Sequence, residues 1–276
     1  MTRWRSGAGR DAGRPRAGFW YRFAIYVLKP LLTVFTRRDW HGAENLPRTG
    51  GMVLVANHIS HLDALTLAHF LYDNGLLPRF LAKAAVFDVP FVGRVVRGAE
   101  QIPVYRESQD AALAYEAAVA AVRRGECVVV YPEATLTRDP DLWPMRGKTG
   151  AARIALATGA PVVPVAQWGV QEVLAPYSNR PHLLPPRTVH VLAAPPVDLS
   201  GLPDGEPTAE VLAEATDRIM AALTAAVAQL RGQTPPAVRF DPKAAGVPVT
   251  GNPHRQQGGA STAPRRRRSH HRGGRS

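Results

Sequence analysis

The sequence predicts an α/β domain built on a largely parallel central sheet flanked by helices. Two observations predict it. Short runs rich in Val, Ile and Leu, of strand length, alternate through residues 51–197 with longer stretches of helical periodicity. The run Met52-Val53-Leu54-Val55-Ala56 is apolar at every position and is followed at once by a turn and a helical pattern, as a strand buried on both faces would be. With 276 residues and 45% hydrophobic composition the chain can bury a full core, and the count of segments favours a single domain.

Residues 1–18 carry scattered Arg, Gly and Pro and are predicted to be a disordered basic arm. Residues 19–36 follow as an amphipathic helical segment. Trp20, Phe23, Val27, Leu31 and Val34 recur at helical spacing, with Arg22 and Lys29 on another face. Those two charges leave no run near the ~20 apolar residues that a spanning helix needs. The segment is therefore read as lying in a membrane interface, the competing reading being that it packs on the protein's own core. Pro30 is predicted to kink or split it. A cleaved signal peptide is disfavoured, because no small-x-small site follows the apolar stretch.

Residues 37–232 form the predicted main domain. After Met52–Ala56, strands are expected at Arg79–Ala82, Ile102–Tyr105, Cys127–Tyr131, Pro161–Ala166 and Thr188–Ala193. Between them, Phe87–Val96 is expected as a short helix broken by Pro90 and Gly93. Ala111–Arg124 is a helix capped by Ser108 and ended by Gly125, and Lys148–Thr158 is one closed by Gly159. Thr208–Arg231 is an Ala-rich helix whose Val211, Leu212, Ala215, Ile219, Leu223 and Val227 make one stripe for docking on the body. Residues 233–276, dominated by Pro, Gly, Gln, Ser and Arg, are predicted to be a disordered Arg-rich tail.

The net charge of +12 sits at the two ends. Residues 1–22 hold six Arg against one Asp, and residues 233–276 hold nine Lys or Arg against one Asp, so the body between is close to neutral. That distribution argues against a basic nucleic-acid-binding domain, although the ends can touch any polyanion. Cys127 is the single cysteine, which excludes an intrachain disulfide; its place before Val128-Val129-Val130 predicts a core residue.

The chemistry-bearing stretch is Asn57-His58-Ile59-Ser60-His61-Leu62-Asp63. Ser60 is read as the N-cap of the next helix, with Asp63 at capping-box spacing. A carboxylate on that first turn can reach back to His58, fix its tautomer and leave the other ring nitrogen as a base. The plainer alternative is that Asp63 only caps the helix. Further along stand Ile102-Pro103-Val104-Tyr105-Arg106, Tyr131-Pro132-Glu133-Ala134-Thr135 and Val162-Val163-Pro164-Val165. In order and spacing these four segments, spanning about Gly42 to Val197, resemble the blocks of the 1-acyl-sn-glycerol-3-phosphate acyltransferase family.

The resemblance implies a His58 general base with Asp63 as its orienting partner and a phosphate-binding Arg106; Glu133, Thr135, Arg138 and Lys148, in or near the same segments, are the further candidates for substrate binding. It implies no metal and no cofactor, the acyl donor being acyl-CoA or acyl carrier protein and the acceptor a phosphorylated lysolipid. It implies action at an anionic membrane surface, peripheral or monotopic, on the cytoplasmic side of the cell membrane. An Arg fork suits a phosphate. No Gly-x-Ser-x-Gly elbow is present, consistent with transfer that needs no covalent intermediate. The third block departs from the family's Glu-Gly-Thr-Arg: Ala134 stands for the Gly, which predicts a different turn, and the Arg is displaced by two residues to Arg138. Another lysophospholipid or glycerol-3-phosphate as acceptor, a non-catalytic membrane-binding protein, and nucleic-acid binding through the tail stay open as alternatives.

Overall fold

A computed structural model describes residues 17–252 apart from 105–109, 204 and 250. Seven strands form one sheet in the order β1-β7-β6-β2-β5-β3-β4. They are β1 Thr36–His41, β2 Met52–Ala56, β3 Pro78–Lys83, β4 Ile102–Val104, β5 Cys127–Val130, β6 Val162–Trp168 and β7 Arg187–Ala193. Every neighbouring pair is parallel except β6 with β7, so the expected α/β architecture holds. The helices are α1 Phe19–Phe35, α2 Asp63–Asp73, α3 Ala84–Phe87, α4 Val92–Gly98, α5 Asp110–Arg123, α6 Gly150–Thr158, α7 Val170–Val173 and α8 Ala209–Arg231.

Strand alternation sends β2 and β5 side chains into two separate cores. Val53, Val55, Val128 and Val130 pack with α5, α6 and α8, whereas Met52, Leu54, Ala56, Cys127 and Val129 pack with α2 and α7. Both faces are covered, which is why these strands read as unbroken apolar runs. Cys127 is buried as expected, and burial pushes its thiol up to about 12. Thr208 caps α8 through its side chain, and the helix buries Leu212, Ala215, Ile219, Leu223 and Val227 against the body.

Strand β1 lies in a stretch, Thr-Arg-Arg-Asp-Trp-His, without the expected apolar signal. It is an edge strand, its Arg37 and Arg38 exposed, and it pairs in parallel with β7. Asp39 bridges the pair, accepting from His190 Nδ1 at 2.6 Å and from His41 Nε2 at 2.7 Å. The bond to His190 holds the Asp39 carboxyl below its ordinary range.

Of the kink or split expected at Pro30, the split does not occur: helix α1 continues through it as one element. The apolar stripe divides. Trp20 and Phe23 turn edge-on to Phe91 beside α4, with ring centroids 6.3 and 5.8 Å away, and Trp20 lies so close to Gly98 that a Cβ there would sit 2.1 Å from its ring. Val27, Leu31 and Val34 remain exposed. Lys29 is not a free surface charge, for it pairs with Asp73 on α2. Among the described residues no helix is long and apolar enough to cross a membrane.

The expected basic arm, through residue 16, and residues 253–276 of the expected tail lie outside the described residues. Residues 233–249, read from composition as part of a disordered tail, instead follow a defined course along the body. Arg239 pairs with Asp217 on α8 at 3.0 Å, Arg146 pairs with Asp241 at 3.2 Å, and the Arg146 N–H donates to the Phe240 carbonyl at 3.1 Å. These are long-range contacts that local composition does not register.

Candidate active site

The site is assembled where β2 and β5 end. The turn after β2 is pinned first by Asn57, whose side chain donates to the Gln167 carbonyl at 3.0 Å and accepts from the Gln167 N–H at 2.8 Å. This reciprocal pair ties the turn to β6. His58 then projects its ring towards α2, and its Nδ1 lies 2.9 Å from Asp63 Oδ2. The same Asp63 oxygen accepts the backbone N–H groups of Ile59 at 2.6 Å and Ser60 at 2.8 Å. Asp63 is fully buried, whereas the His58 side chain keeps 20% of its surface. An aspartate that accepts from Nδ1–H leaves Nε2 as the free, basic nitrogen.

Ser60 is not the helix cap that its position suggested. Helix α2 begins at Asp63 with Leu62 before it and no side-chain cap. The Asp63 carboxylate itself closes the turn, and the Ser60 hydroxyl donates to the Leu174 carbonyl at 2.7 Å and accepts from the Leu62 N–H at 3.2 Å. His61, beside it, is exposed.

Glu133, after β5, bridges this turn to the next loop. Its Oε1 accepts the His58 N–H at 3.2 Å and its Oε2 the Met145 N–H at 3.0 Å. The His58 carbonyl in turn accepts the Thr137 N–H at 2.7 Å, so the backbone of His58 is held on both sides by the 133–137 loop. Burial pushes the Glu133 carboxyl up to about 8, opposed by those two N–H bonds. Ala134 takes φ 57°, the left-handed conformation that a Gly supplies at less cost. The turn that an Ala was expected to alter is thus made with a left-handed residue all the same.

The remaining sequence candidates part company. Arg138 is buried, 8% exposed, with its guanidinium 4.7 Å over the Tyr177 ring and its Nη2 donating to the Gly251 carbonyl at 2.7 Å. Thr135 is half-buried within hydrogen-bonding reach of the Tyr177 hydroxyl. Lys148 is exposed, its backbone N–H donating to the Pro132 carbonyl at 2.9 Å. Arg106 lies outside the described residues, as do Tyr105 and the expected cap Ser108. Two aromatic side chains nearby are engaged elsewhere: Phe91 with α1, and Trp168 with the Arg231 guanidinium 4.3 Å over its ring.

Two residues of the site carried no functional expectation. Tyr131 lays its ring on His58, with centroids 4.2 Å apart and planes 22° from parallel. Gln167, besides clasping Asn57, accepts from the Thr66 hydroxyl at 2.7 Å. The signal for Tyr131 was its place immediately before Pro132-Glu133; for Gln167 there was only its position near the end of a predicted strand. Among the described residues no group of acidic, His or Cys side chains could hold a metal ion.

The chain is similar to known proteins. The sequence profile of the Acyltransferase family matches residues 37–168, which contain the His58–Asp63 turn and the Glu133 loop. A chloroplastic 1-acyl-sn-glycerol-3-phosphate acyltransferase of Brassica napus is 31% identical over 57% of this chain and 43% of its own. The 1-acyl-sn-glycerol-3-phosphate acyltransferase of Bacillus subtilis is 28% identical over 54% of this chain and 71% of its own. The first curated relatives are matched over less than half of their length, 43% and 48%. In fold, the chain is similar to the crystal structure of the 1-acyl-sn-glycerophosphate acyltransferase PlsC from Thermotoga maritima. That match has a TM-score of 0.56 and 23% identity, and covers 78% of this chain and 84% of that one. The sheet, the His-bearing turn and the profile match point the same way, with residues 37–168 similar to the acyltransferase family.

Proposed function

We propose that the protein transfers a fatty acyl group from acyl-CoA or acyl carrier protein to the free hydroxyl of 1-acyl-glycerol-3-phosphate, giving phosphatidic acid. The observation that carries this reading is the His58–Asp63 pair, with Nδ1 bound at 2.9 Å and a ring edge still open to solvent. His58 Nε2 takes the acceptor's hydroxyl proton as the oxygen attacks the thioester carbonyl carbon. The C–S bond then breaks, and the imidazolium returns the proton to the departing thiolate. Asp63 holds the tautomer and stabilises the imidazolium. A thioester is already activated, so the direct route needs no acyl-enzyme. The candidate nucleophiles fit that route, with the Ser60 hydroxyl bound to a carbonyl and the Cys127 thiol buried with its pKa raised.

The acceptor's phosphate is assigned to Arg106 and Arg138, with Thr135 and Lys148 in the same blocks, and the role of Glu133 is to hold the His58 backbone in place. Attachment to the membrane is assigned to α1 and the turn beside it. Phe19, Tyr26, Val27, Leu31 and Val34 are exposed on the helix, and Val89, Phe91 and Val92 are exposed on the neighbouring turn. We assign that surface to the cytoplasmic face, because acyl-CoA or acyl carrier protein is the proposed donor, with the basic ends meeting anionic headgroups.

The test is turnover of a panel of lysolipids and glycerol-3-phosphate with acyl-CoA by the full chain and by His58→Ala. The variant is expected to lose ~10² to 10⁴ in kcat with donor binding intact. Turnover near wild type in folded His58→Ala would sink the mechanism. Faster turnover of glycerol-3-phosphate or of another headgroup would reassign the acceptor, and lipid binding without any transfer would favour a non-catalytic protein.

A further inference from the structure

Strand register brings an aromatic ring under the proposed base. β2 and β5 are parallel neighbours, with Val55 beside Val130. Continuing the alternation past the strand ends, His58 and Tyr131 emerge on the face that carries Leu54, Ala56, Cys127 and Val129, so their rings meet. Phe80, on the next strand β3, stacks on Tyr131 in turn, at 6.4 Å and 18°. The His58 ring is then bounded on its Nδ1 edge by Asp63 and on one face by Tyr131.

We propose that Tyr131 is a positioning residue of the acyl transfer: its ring face fixes the orientation of the His58 imidazole and stabilises the imidazolium formed as the acceptor is deprotonated. This rests on His58 being the base. The negative face of an aromatic ring attracts a cation, so the stack favours the protonated ring over the neutral one and acts mainly when the proton arrives. Burial keeps the phenol far above its ordinary range, so the ring stays neutral throughout the turnover pH range. Packing on one face also blocks rotation of the imidazole away from Asp63, keeping Nε2 on the open side.

The test pairs Tyr131→Phe, which keeps the face and loses the hydroxyl, with Tyr131→Leu and Tyr131→Met, which keep apolar bulk and lose the face. The Phe variant is expected to stay within about 3-fold of wild-type kcat with an unmoved acidic limb in its kcat/KM–pH profile. The Leu and Met variants are expected to lose about 3- to 30-fold in kcat, with acceptor KM within about 2-fold. Their acidic limb moves to lower pH by about half to one and a half units, because the protonated ring has lost a stabilising partner. An NMR titration of the His58 ring protons reads the same shift without turnover. A lower melting temperature with the limb unmoved would make Tyr131 merely a packing residue and overturn the proposal. So would a Phe variant as slow as the Leu variant, which would transfer the role to the hydroxyl. Active His58→Ala is a separate result, which removes the base assignment itself.

Discussion

Asp63→Asn separates a charge role from a capping role. Three donors converge on one Asp63 oxygen, from His58 Nδ1, Ile59 N and Ser60 N at 2.9, 2.6 and 2.8 Å. In the variant the amide oxygen must occupy that position, since an amide nitrogen there would face two backbone N–H groups. The turn and the His58 tautomer therefore survive. The amide nitrogen falls where Oδ1 is now, a buried atom with no hydrogen-bond partner among the described residues. Burying that NH₂ costs roughly 1–3 kcal/mol, or a fall of about 2–10 °C in Tm for a domain of this size. The kinetic cost has another origin. A unit charge pair at about 4 Å is worth about 4 kcal/mol at an effective dielectric near 20, and it exists only once His58 is protonated. Losing most of that lowers kcat by ~10² to 10⁴. Steady-state transfer from acyl-CoA, beside circular dichroism and a melting curve, measures both effects. Asn is a good helix-cap residue, so turnover within about 3-fold of wild type would show that Asp63 only shapes the turn.

Ala134→Gly relieves a left-handed residue at an exposed position, worth ~1–2 kcal/mol, against ~0.5–1 kcal/mol for the added freedom of the unfolded chain; Tm is expected to rise by about 1–4 °C with activity unchanged, and a fall would show that the turn bears no strain. Glu133 holds its proton in the folded protein up to about pH 8, above the ordinary carboxyl value of 4.5, so stability declines as pH rises between those values, by at most about 1.4 kcal/mol per pH unit. Denaturant unfolding at pH 5 and pH 8 should show that decline in wild type and its loss in Glu133→Gln; equal slopes would contradict it. Ending the chain at residue 249 removes the Gly251 carbonyl from Arg138 and is expected to lower the acceptor KM by about 2- to 10-fold in detergent, while ending it at 252 leaves KM alone. An unchanged KM in the shorter chain would leave Arg138 as an anchor for the tail.

Much of the fold was legible because strands buried on both faces announce themselves. Met52–Ala56 and Cys127–Val130 are apolar at every position, and the structure buries every one of those side chains. β1 was illegible for the opposite reason. It is held at the sheet edge by its ladder with β7 and by the Asp39–His190 bond, so its sequence is free to be charged. The ordered course of residues 233–249 was likewise hidden, since it depends on Arg146 and Asp217 far away in the chain.

At the site, legibility divides between contacts local in sequence and contacts made across strands. The reach of Asp63 back to His58 spans five residues and could be argued from the turn alone, whereas the stack of Tyr131 on His58 needs the β2–β5 register, which no local pattern encodes. Ala134 shows why the missing Gly was a misleading cue. The carboxyl group of Glu133 accepts two backbone N–H groups and the His58 carbonyl accepts Thr137 N–H, so the ends of the loop are fixed and the residue between them is driven left-handed whatever its side chain. A cost of ~1–2 kcal/mol is smaller than that of breaking several buried hydrogen bonds at ~1 kcal/mol or more each. Side-chain identity at Ala134 therefore sets how much strain the loop stores, while Glu133 and Thr137 set where the backbone of the proposed base is held.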